Sequence, residues 1–194
     1  MIADIIDCPI SGTYPEKHFG NTSTHCIWIL FTDDNYQQWV GSFEKGLLTL
    51  SRTILLKTKE ISIVLANGKM YLINVNTREC IYTSEASYVK NIVVDTNEEN
   101  IFFTTGYELY QMDCNGNTME LLEDRYYDDL SIMELKGNTL YVSYHNYQSS
   151  KKTFTLEIDW ITNEIKDSYD SFVSSRAKEK KKSVFWRLVQ WLSK

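Results

Sequence analysis

The most informative polar segment of the sequence lies between Glu120 and Asp129. It holds five carboxylates and two adjacent tyrosines: Glu120, Glu123, Asp124, Tyr126, Tyr127, Asp128 and Asp129. Paired carboxylates serve in glycosidases and bind divalent cations, but a calcium loop alternates its ligands around a glycine, and this run has no glycine. Carboxylates attract a basic partner and tyrosines give rigid contact area, so the run favours a partner-binding loop. The alternative is a solvated acidic loop.

Histidines and cysteines lie close together near the N-terminus but do not form a zinc motif. Cys8, His18, His25 and Cys26 have no recognised ligand spacing, and the adjacent His25 and Cys26 would point to opposite faces of a strand. Cys26 lies within an apolar strand, which favours an inert core thiol over a nucleophile. No hydrolase, phosphate-binding or dinucleotide motif occurs. We therefore expect a protein that is not an enzyme, with no catalytic residue, no metal and no cofactor.

A second candidate surface combines acidic and aromatic side chains nearer the N-terminus. Asp33 and Asp34 lie among the aromatic residues Trp28, Tyr36 and Trp39. Aromatic residues at this density belong more often to a core than to a binding surface. We expect most of them in the core of the first sheet, with binding as the alternative.

The charge of the chain is unevenly distributed. The 194 residues hold 20 Lys and Arg against 26 Asp and Glu, a formal net charge of −6. Residues 171–194 contain seven cations and one anion, which leaves the first 170 residues with 13 cations, 25 anions and a net charge of −12. An acidic body repels nucleic-acid phosphates and attracts basic proteins. We therefore expect a basic protein partner and no nucleic acid.

The sequence also predicts the cellular compartment of the protein. The first ten residues lack the basic and long apolar segments of an export signal, and no stretch approaches the ~18 apolar residues of a membrane-spanning helix. The four cysteines are widely spaced: Cys8, Cys26, Cys80 and Cys114. Such spacing without an export signal is typical of reduced thiols in a cytoplasmic protein, with a disulfide pair as the alternative.

Most of the chain predicts strands. Hydrophobic residues make up 43% and aromatic residues 13%, which is enough for a core and excludes a disordered chain. Apolar side chains alternate with a period of two, and turn residues follow every 8–12 positions, a pattern typical of an all-β sandwich, barrel or propeller. Three hairpins are predicted across Asn67-Gly68, Asn115-Gly116 and Gly137-Asn138, and Asn-Gly favours a type I′ turn.

A weak internal repeat links three of the predicted turns. Asn74, Asp113 and Asp159 each follow an aromatic-rich strand and begin an [Asn/Asp]-x-x-[Thr/Gly]-[Arg/Asn] segment, at offsets of 39 and 46 residues. The side chain of the first residue can cap the turn, and the offsets match one four-stranded blade. Residues 53–168 thus resemble the outer hairpins of quinoprotein-like β-propeller repeats. The resemblance implies about four blade-like units, arranged as a closed ring, an open array or a β-sandwich.

The C-terminal segment differs from the rest of the chain. Residues 175–182 are polar and basic, and residues 183–194 show an amphipathic helical pattern with a wide apolar sector. We therefore divide the chain into an all-β domain, 1–170, and a basic linker with an amphipathic helix, 171–194. The helix could cover an edge strand, bind a partner groove or lie on a membrane. The candidate contacts are Lys180, Lys181, Lys182, Trp186 and Trp191.

Together these features favour a protein-binding module without catalytic activity. In size, charge and acidic-aromatic surface the chain resembles bacterial toxin-immunity proteins, which neutralise basic toxins such as nucleases. The resemblance implies a cognate toxin domain as partner and occlusion of its active site as mechanism. The alternative function is a propeller-like scaffold held at a membrane surface by the C-terminal helix, and a third is a hydrolase with acidic catalytic residues.

Overall fold

The computed structural model describes residues 1–21, 26–122, 127–146, 152–171 and 173–174. Strands hold 57% and helices 6% of these residues, which confirms the predicted all-β fold. The strands are β1 (Ile2–Ile6), β2 (Glu16–Phe19), β3 (Cys26–Thr32), β4 (Gln38–Glu44), β5 (Arg52–Leu56), β6 (Ile61–Ala66), β7 (Lys69–Asn74), β8 (Cys80–Thr83), β9 (Asn91–Val94), β10 (Asn100–Thr104), β11 (Leu109–Asp113), β12 (Thr118–Leu122), β13 (Tyr127–Lys136), β14 (Thr139–Asn146), β15 (Thr153–Asp159) and β16 (Glu164–Asp167).

The strands form four sheets of four strands each. Sheet 1 has the order β1-β3-β4-β2, and its short strand β2 runs parallel to β4. Sheet 2 (β5–β8), sheet 3 (β9–β12) and sheet 4 (β13–β16) are antiparallel meanders of consecutive strands. The first strands of neighbouring sheets are in contact, β1 with β5 and β9 with β13. The predicted arrangement of about four blade-like units is confirmed.

Three hydrophobic clusters stack the sheets face to face in chain order. Phe43 of sheet 1 packs edge-on against Tyr71 of sheet 2, with ring centroids 5.2 Å apart. In β10, the adjacent Phe102 and Phe103 point to opposite faces, so Phe103 packs with sheet 2 and Phe102 packs with sheet 4. Sheets 2 and 3 are therefore buried on both faces. Among the described residues, no hydrophobic cluster of this kind joins sheet 4 to sheet 1.

The internal repeat has the local structure that its residues predict. The side chain of Asn74 accepts the backbone N–H of Thr77 at 2.9 Å, and Asp159 accepts that of Thr162 at 3.0 Å. Asp113 accepts the backbone N–H of Asn117 at 2.9 Å. These turns join the third and fourth strands of sheets 2, 3 and 4. The side-chain cap thus recurs at the same place in each of the three meanders.

Two of the predicted hairpin turns differ in geometry. Asn67 and Gly68 have φ angles of 50° and 91°, and positive φ at both residues is the signature of the predicted type I′ turn. In the hairpin of β11 and β12, only Gly116 has a positive φ, of 82°, and its N–H donates to the carbonyl of Asp113 at 3.1 Å. Residues 114–117 separate the two strands and Asn115 has no positive φ, so Asn115-Gly116 is not a two-residue type I′ turn.

The two ends of the chain differ in structure. β1 and β2, within the predicted all-β domain of residues 1–170, complete sheet 1. A short helix occupies residues 168–171 and 173–174. The predicted amphipathic helix after residue 175 lies outside the described residues. Within the described ranges, no helix is long and apolar enough to cross a bilayer.

Candidate functional site

The structure divides the acidic-aromatic run between two sheets. Glu120 lies in β12 of sheet 3, whereas Tyr127, Asp128 and Asp129 begin β13 of sheet 4. The prediction of a loop is wrong for Tyr127, Asp128 and Asp129, because β13 pairs with β14 as far back as Tyr127, with a register shift between Asp128 and Ser131. The remaining predicted binding residues, Glu123, Asp124 and Tyr126, lie outside the described residues.

Two residues at the start of β13 have partners within the protein. Asp129 forms an ion pair with Lys90, which precedes β9, and this contact links sheets 3 and 4. A carboxylate oxygen of Asp129 also lies 3.4 Å from Nδ1 of His145. Tyr127 is half-buried and packs edge-on against Tyr144, with ring centroids 4.6 Å apart. Partner binding by these residues stays a prediction.

The second predicted surface is divided between core and solvent. Trp39 is buried and stacks on Phe31 with ring centroids 4.2 Å apart, as the core alternative predicted. Tyr36 is 87% exposed in the turn between β3 and β4. Asp33 caps this turn through backbone N–H groups, and Asp34 accepts the N-terminal amine at 2.6 Å. These carboxylates therefore have local structural partners.

The predicted contacts of the C-terminal helix cannot be placed in the fold. The five residues lie outside the described part of the chain: Lys180, Lys181, Lys182, Trp186 and Trp191. Binding of a membrane or a partner by this segment stays a prediction.

The nearest arrangement to a nucleophile pair is structural. Nδ1 of His18 lies 2.6 Å from Oγ of Ser42, and the imidazole packs edge-on against Trp28. Ser42 is completely buried, so a substrate has no access to its hydroxyl. No group of three or more His, Cys, Asp or Glu within the described residues could hold a metal ion.

A cleft of about 300 Å³ opens between sheets 2 and 3. One wall consists of residues 82–86, at the end of β8 and in the following loop. The facing wall consists of side chains from the β10–β12 region: Phe103, Thr105, Tyr110 and Thr118. We call this feature, with Tyr82 on one wall and Tyr110 on the other, the tyrosine cleft. Its volume is near the lower limit for small-ligand sites and is enough for one long side chain.

The alternation of side chains along the strands, together with the strand register, determines which residues form the wall that contains Phe103 and Tyr110. Phe103 lies directly opposite Tyr110 across β10 and β11, and Tyr110 lies opposite Glu120 across β11 and β12. Directly opposite residues share a face of the sheet, so all three point toward sheet 2. The rings of Phe103 and Tyr110 stack with centroids 5.1 Å apart. Tyr82 lies opposite the buried Leu72 in sheet 2 and points back toward sheet 3.

Hydrogen bonds fix both walls. Oγ1 of Thr105 donates to Oε2 of Glu108 at 2.8 Å, and the Glu108 carboxylate acts on the nearby Tyr110 hydroxyl. On the other wall, the buried Ser84 accepts the backbone N–H of Met70 at 2.9 Å and donates to the carbonyl of Ala86 at 2.7 Å. The cleft is therefore held by contacts that exist without a ligand, which lowers the entropy cost of binding.

The electrostatic environment of the cleft is negative. Burial, followed by the charge of Glu108 and the hydrogen bond to it, raises the pKa of Tyr110 to about 12, and the charge of Glu120 acts in the same direction. Burial and the charge of Glu85 raise the pKa of Tyr82. Both phenols are therefore protonated at neutral pH, and three carboxylates act on the same small volume.

Aromatic rings beside carboxylates favour a cation. Ring faces attract ammonium and guanidinium groups, and carboxylates accept their hydrogen bonds. Of the residues around the cleft, Glu120 was predicted from the sequence, whereas Tyr82, Glu85, Glu108 and Tyr110 were not. Glu108, Tyr110 and Met112 are two positions apart, and in a strand such residues share one face of the sheet. This spacing was the local sequence signal for one wall of the cleft. The contribution of Tyr82 depends on how sheet 2 packs on sheet 3, which local sequence does not show.

Comparisons with known proteins give no family. No protein-family model matches the chain, and no curated protein matches its sequence significantly. Among solved structures, the chain is similar to the extracellular domain of a one-component system from B. thetaiotaomicron, with 12% sequence identity and a TM-score of 0.45. The match covers 80% of this chain, and the chain spans about 25% of that protein.

Proposed function

We propose that this protein is a non-catalytic binding module whose tyrosine cleft takes a lysine or arginine side chain of a basic protein partner. One observation carries the proposal: Tyr82, Phe103 and Tyr110 bring aromatic surface into a cleft on which Glu85, Glu108 and Glu120 act. A cationic side chain placed there gains ring contact and charge-assisted hydrogen bonds at once.

The charge of the whole body supports a protein partner rather than a nucleic acid. Residues 1–170 carry a net charge of −12, which steers basic proteins toward the surface and repels phosphates. Within this function, we propose that the partner is a bacterial toxin domain such as a nuclease. Carboxylates at the cleft would then occupy the positions of substrate phosphates, and the bound protein would cover the toxin's active site.

The first test is inhibition of a defined partner. The product of the gene adjacent to this one is purified, its nuclease activity is measured, and this protein is added in increasing molar ratio. We expect activity to fall to background near equimolar ratio. Full activity in excess of this protein, with no complex on a sizing column, contradicts the toxin-neutralising function.

The second test locates the surface by kinetics. Glu85→Gln with Glu120→Gln removes two charges at the cleft and should slow association about 3- to 10-fold at low salt, with a flatter salt dependence. Tyr82→Ala should instead speed dissociation, and the binding free energy should weaken by about 2 kcal/mol. The matched controls are Glu164→Gln and Tyr36→Ala, which change exposed residues elsewhere. Controls that weaken binding as much as the cleft variants contradict the proposed site.

A further inference from the structure

Two of the four cysteines lie at the same end of sheet 1. Cys8 follows β1 by two residues and is exposed, and Cys26 is the first residue of β3 and is partly buried. The other two thiols lie elsewhere, Cys80 in sheet 2 and Cys114 in the turn between β11 and β12 of sheet 3. All four side chains are free thiols in this structure.

The register of β1 and β3 aligns the first pair. Ile2 lies opposite Thr32 and Ile6 opposite Trp28, and each step forward in β1 is a step back in β3. The β1–β3 ladder ends at Ile6, and two further steps in the same register would place Cys8 opposite Cys26. Directly opposite residues of antiparallel strands have Cα atoms about 4.5–5.5 Å apart, within the range of about 4.4–6.8 Å that a disulfide bridges.

Two observations support continuation of this register beyond Ile6. Cys8 precedes Pro9, and a residue before proline is disfavoured in the helical region and held extended. The Cys8 thiol also lies within electrostatic range of Cys26. After burial, the charge of Cys8 is the next cause that raises the pKa of the Cys26 thiol. The charge of Cys8 thus acts on the Cys26 thiol, which agrees with the placement that the register gives.

We propose that Cys8 and Cys26 form a disulfide that ties edge strand β1 to β3, through exchange with a low-molecular-weight disulfide such as oxidised glutathione. The exposed Cys8 loses its proton and attacks a glutathione sulfur, which releases one glutathione thiolate and leaves a mixed disulfide on Cys8. Cys26 then loses its proton and attacks the Cys8 sulfur, which expels the second glutathione thiolate. The protein loses two protons and two electrons, and oxidised glutathione becomes two reduced molecules.

The bond would add a covalent link just beyond the end of edge strand β1. The start of β1 is held by the N-terminal amine on Asp34 and by Thr53, which donates to the carbonyl of Ala3 at 2.7 Å. A bond at residue 8 secures the opposite end of the strand. Closing the chain between Cys8 and Cys26 also restricts the unfolded state, so oxidation should raise the melting temperature by about 5 °C or more.

The test is disulfide mapping of the full chain after incubation with oxidised glutathione under native conditions. Free thiols are alkylated, the protein is digested, and linked peptides are identified by mass. We expect one linked pair that joins Cys8 to Cys26, while Cys80 and Cys114 remain alkylated. The Cys8→Ser variant should lose both the link and the rise in melting temperature, and Cys80→Ser should retain both.

Three results would overturn the proposal. They are alkylation of both Cys8 and Cys26 after oxidation, linkage of Cys8 to Cys80 or Cys114 at equal yield, and a Cys8–Cys26 link formed only in denaturant. Because Cys8 is exposed, the serine variant tests the pairing without disturbing the core. The outcome is independent of partner binding at the tyrosine cleft.

Discussion

A single added methyl group can test the contact between sheets 2 and 3 beside the tyrosine cleft. Gly116 has a φ of +82°, and a Cβ atom built there would lie 2.9 Å from Cβ of Tyr82. Gly137 also has a positive φ, of +55°, but a Cβ atom there has no neighbour within 4 Å. Gly116→Ala and Gly137→Ala therefore share a backbone penalty and differ in the contact with Tyr82.

The expected magnitudes follow from these two contributions. An alanine in the left-handed region costs about 1 kcal/mol at either position. Overpacking against Tyr82 adds about 1–2 kcal/mol at Gly116 alone, because the Cβ atom of Tyr82 is tied to its strand and cannot rotate away. For a chain of this length, each kcal/mol lowers the melting temperature by about 2–4 °C. Gly116→Ala should therefore melt about 2–8 °C below Gly137→Ala.

The assay is thermal unfolding of the wild type and both variants, followed by far-ultraviolet circular dichroism at one scan rate. Equal melting temperatures for the two variants would refute the reasoning, because the turn of sheet 3 would then not press on Tyr82 of sheet 2. If Gly137→Ala melts at the wild-type temperature while Gly116→Ala melts lower, only the expected cost of alanine at positive φ is refuted.

Three further predictions concern single side chains. Ultraviolet titration should show a tyrosine with a pKa of about 12, and Glu108→Gln should lower that value, because the negative charge that acts on Tyr110 is removed. An unchanged curve contradicts the effect of Glu108 on Tyr110. The hydrogen bond from Asn117 lowers the folded-state pKa of Asp113. The Asp113 carboxylate therefore contributes stability above about pH 4, and this stability is lost as the pH falls through the folded-state pKa. Asp113→Asn should reduce the pH dependence of the free energy of unfolding in urea in that range. The exposed pair of Lys90 and Asp129 should contribute less than about 1 kcal/mol in a double-mutant cycle.

Local sequence predicted the elements whose structure depends on local chemistry. The hairpin of β6 and β7 has alternating apolar residues around Asn67-Gly68, and both residues have the positive φ that the pair favours. The capping residues Asn74, Asp113 and Asp159 act within four positions of themselves. Such contacts need no information about the rest of the fold.

Contacts between distant segments could not be predicted in this way. The four-residue strand β2 pairs in parallel with β4, with Lys17 opposite Gly41, and nothing in its short sequence indicates that partner. The tyrosine cleft depends on Tyr82 and Tyr110 from two different sheets. Glu120 was identified because it begins a visible acidic run, whereas Glu85 stands outside any such run.

Binding of a cationic side chain at the tyrosine cleft can be measured directly. The most direct measurement is a nuclear magnetic resonance titration with two short peptides, one that contains arginine and one that contains citrulline, which has nearly the same shape without the charge. Wild-type protein is compared with the variant Glu85→Gln/Glu120→Gln and with the control Glu164→Gln.

We predict that the arginine peptide shifts the backbone resonances of residues 82–86, Thr105 and Tyr110 in a saturable manner, and that citrulline does not. The double variant should bind the arginine peptide at least about 10-fold more weakly, and the control should bind it like the wild type. Equal binding of both peptides, or shifts confined to surfaces away from the cleft, would contradict the account.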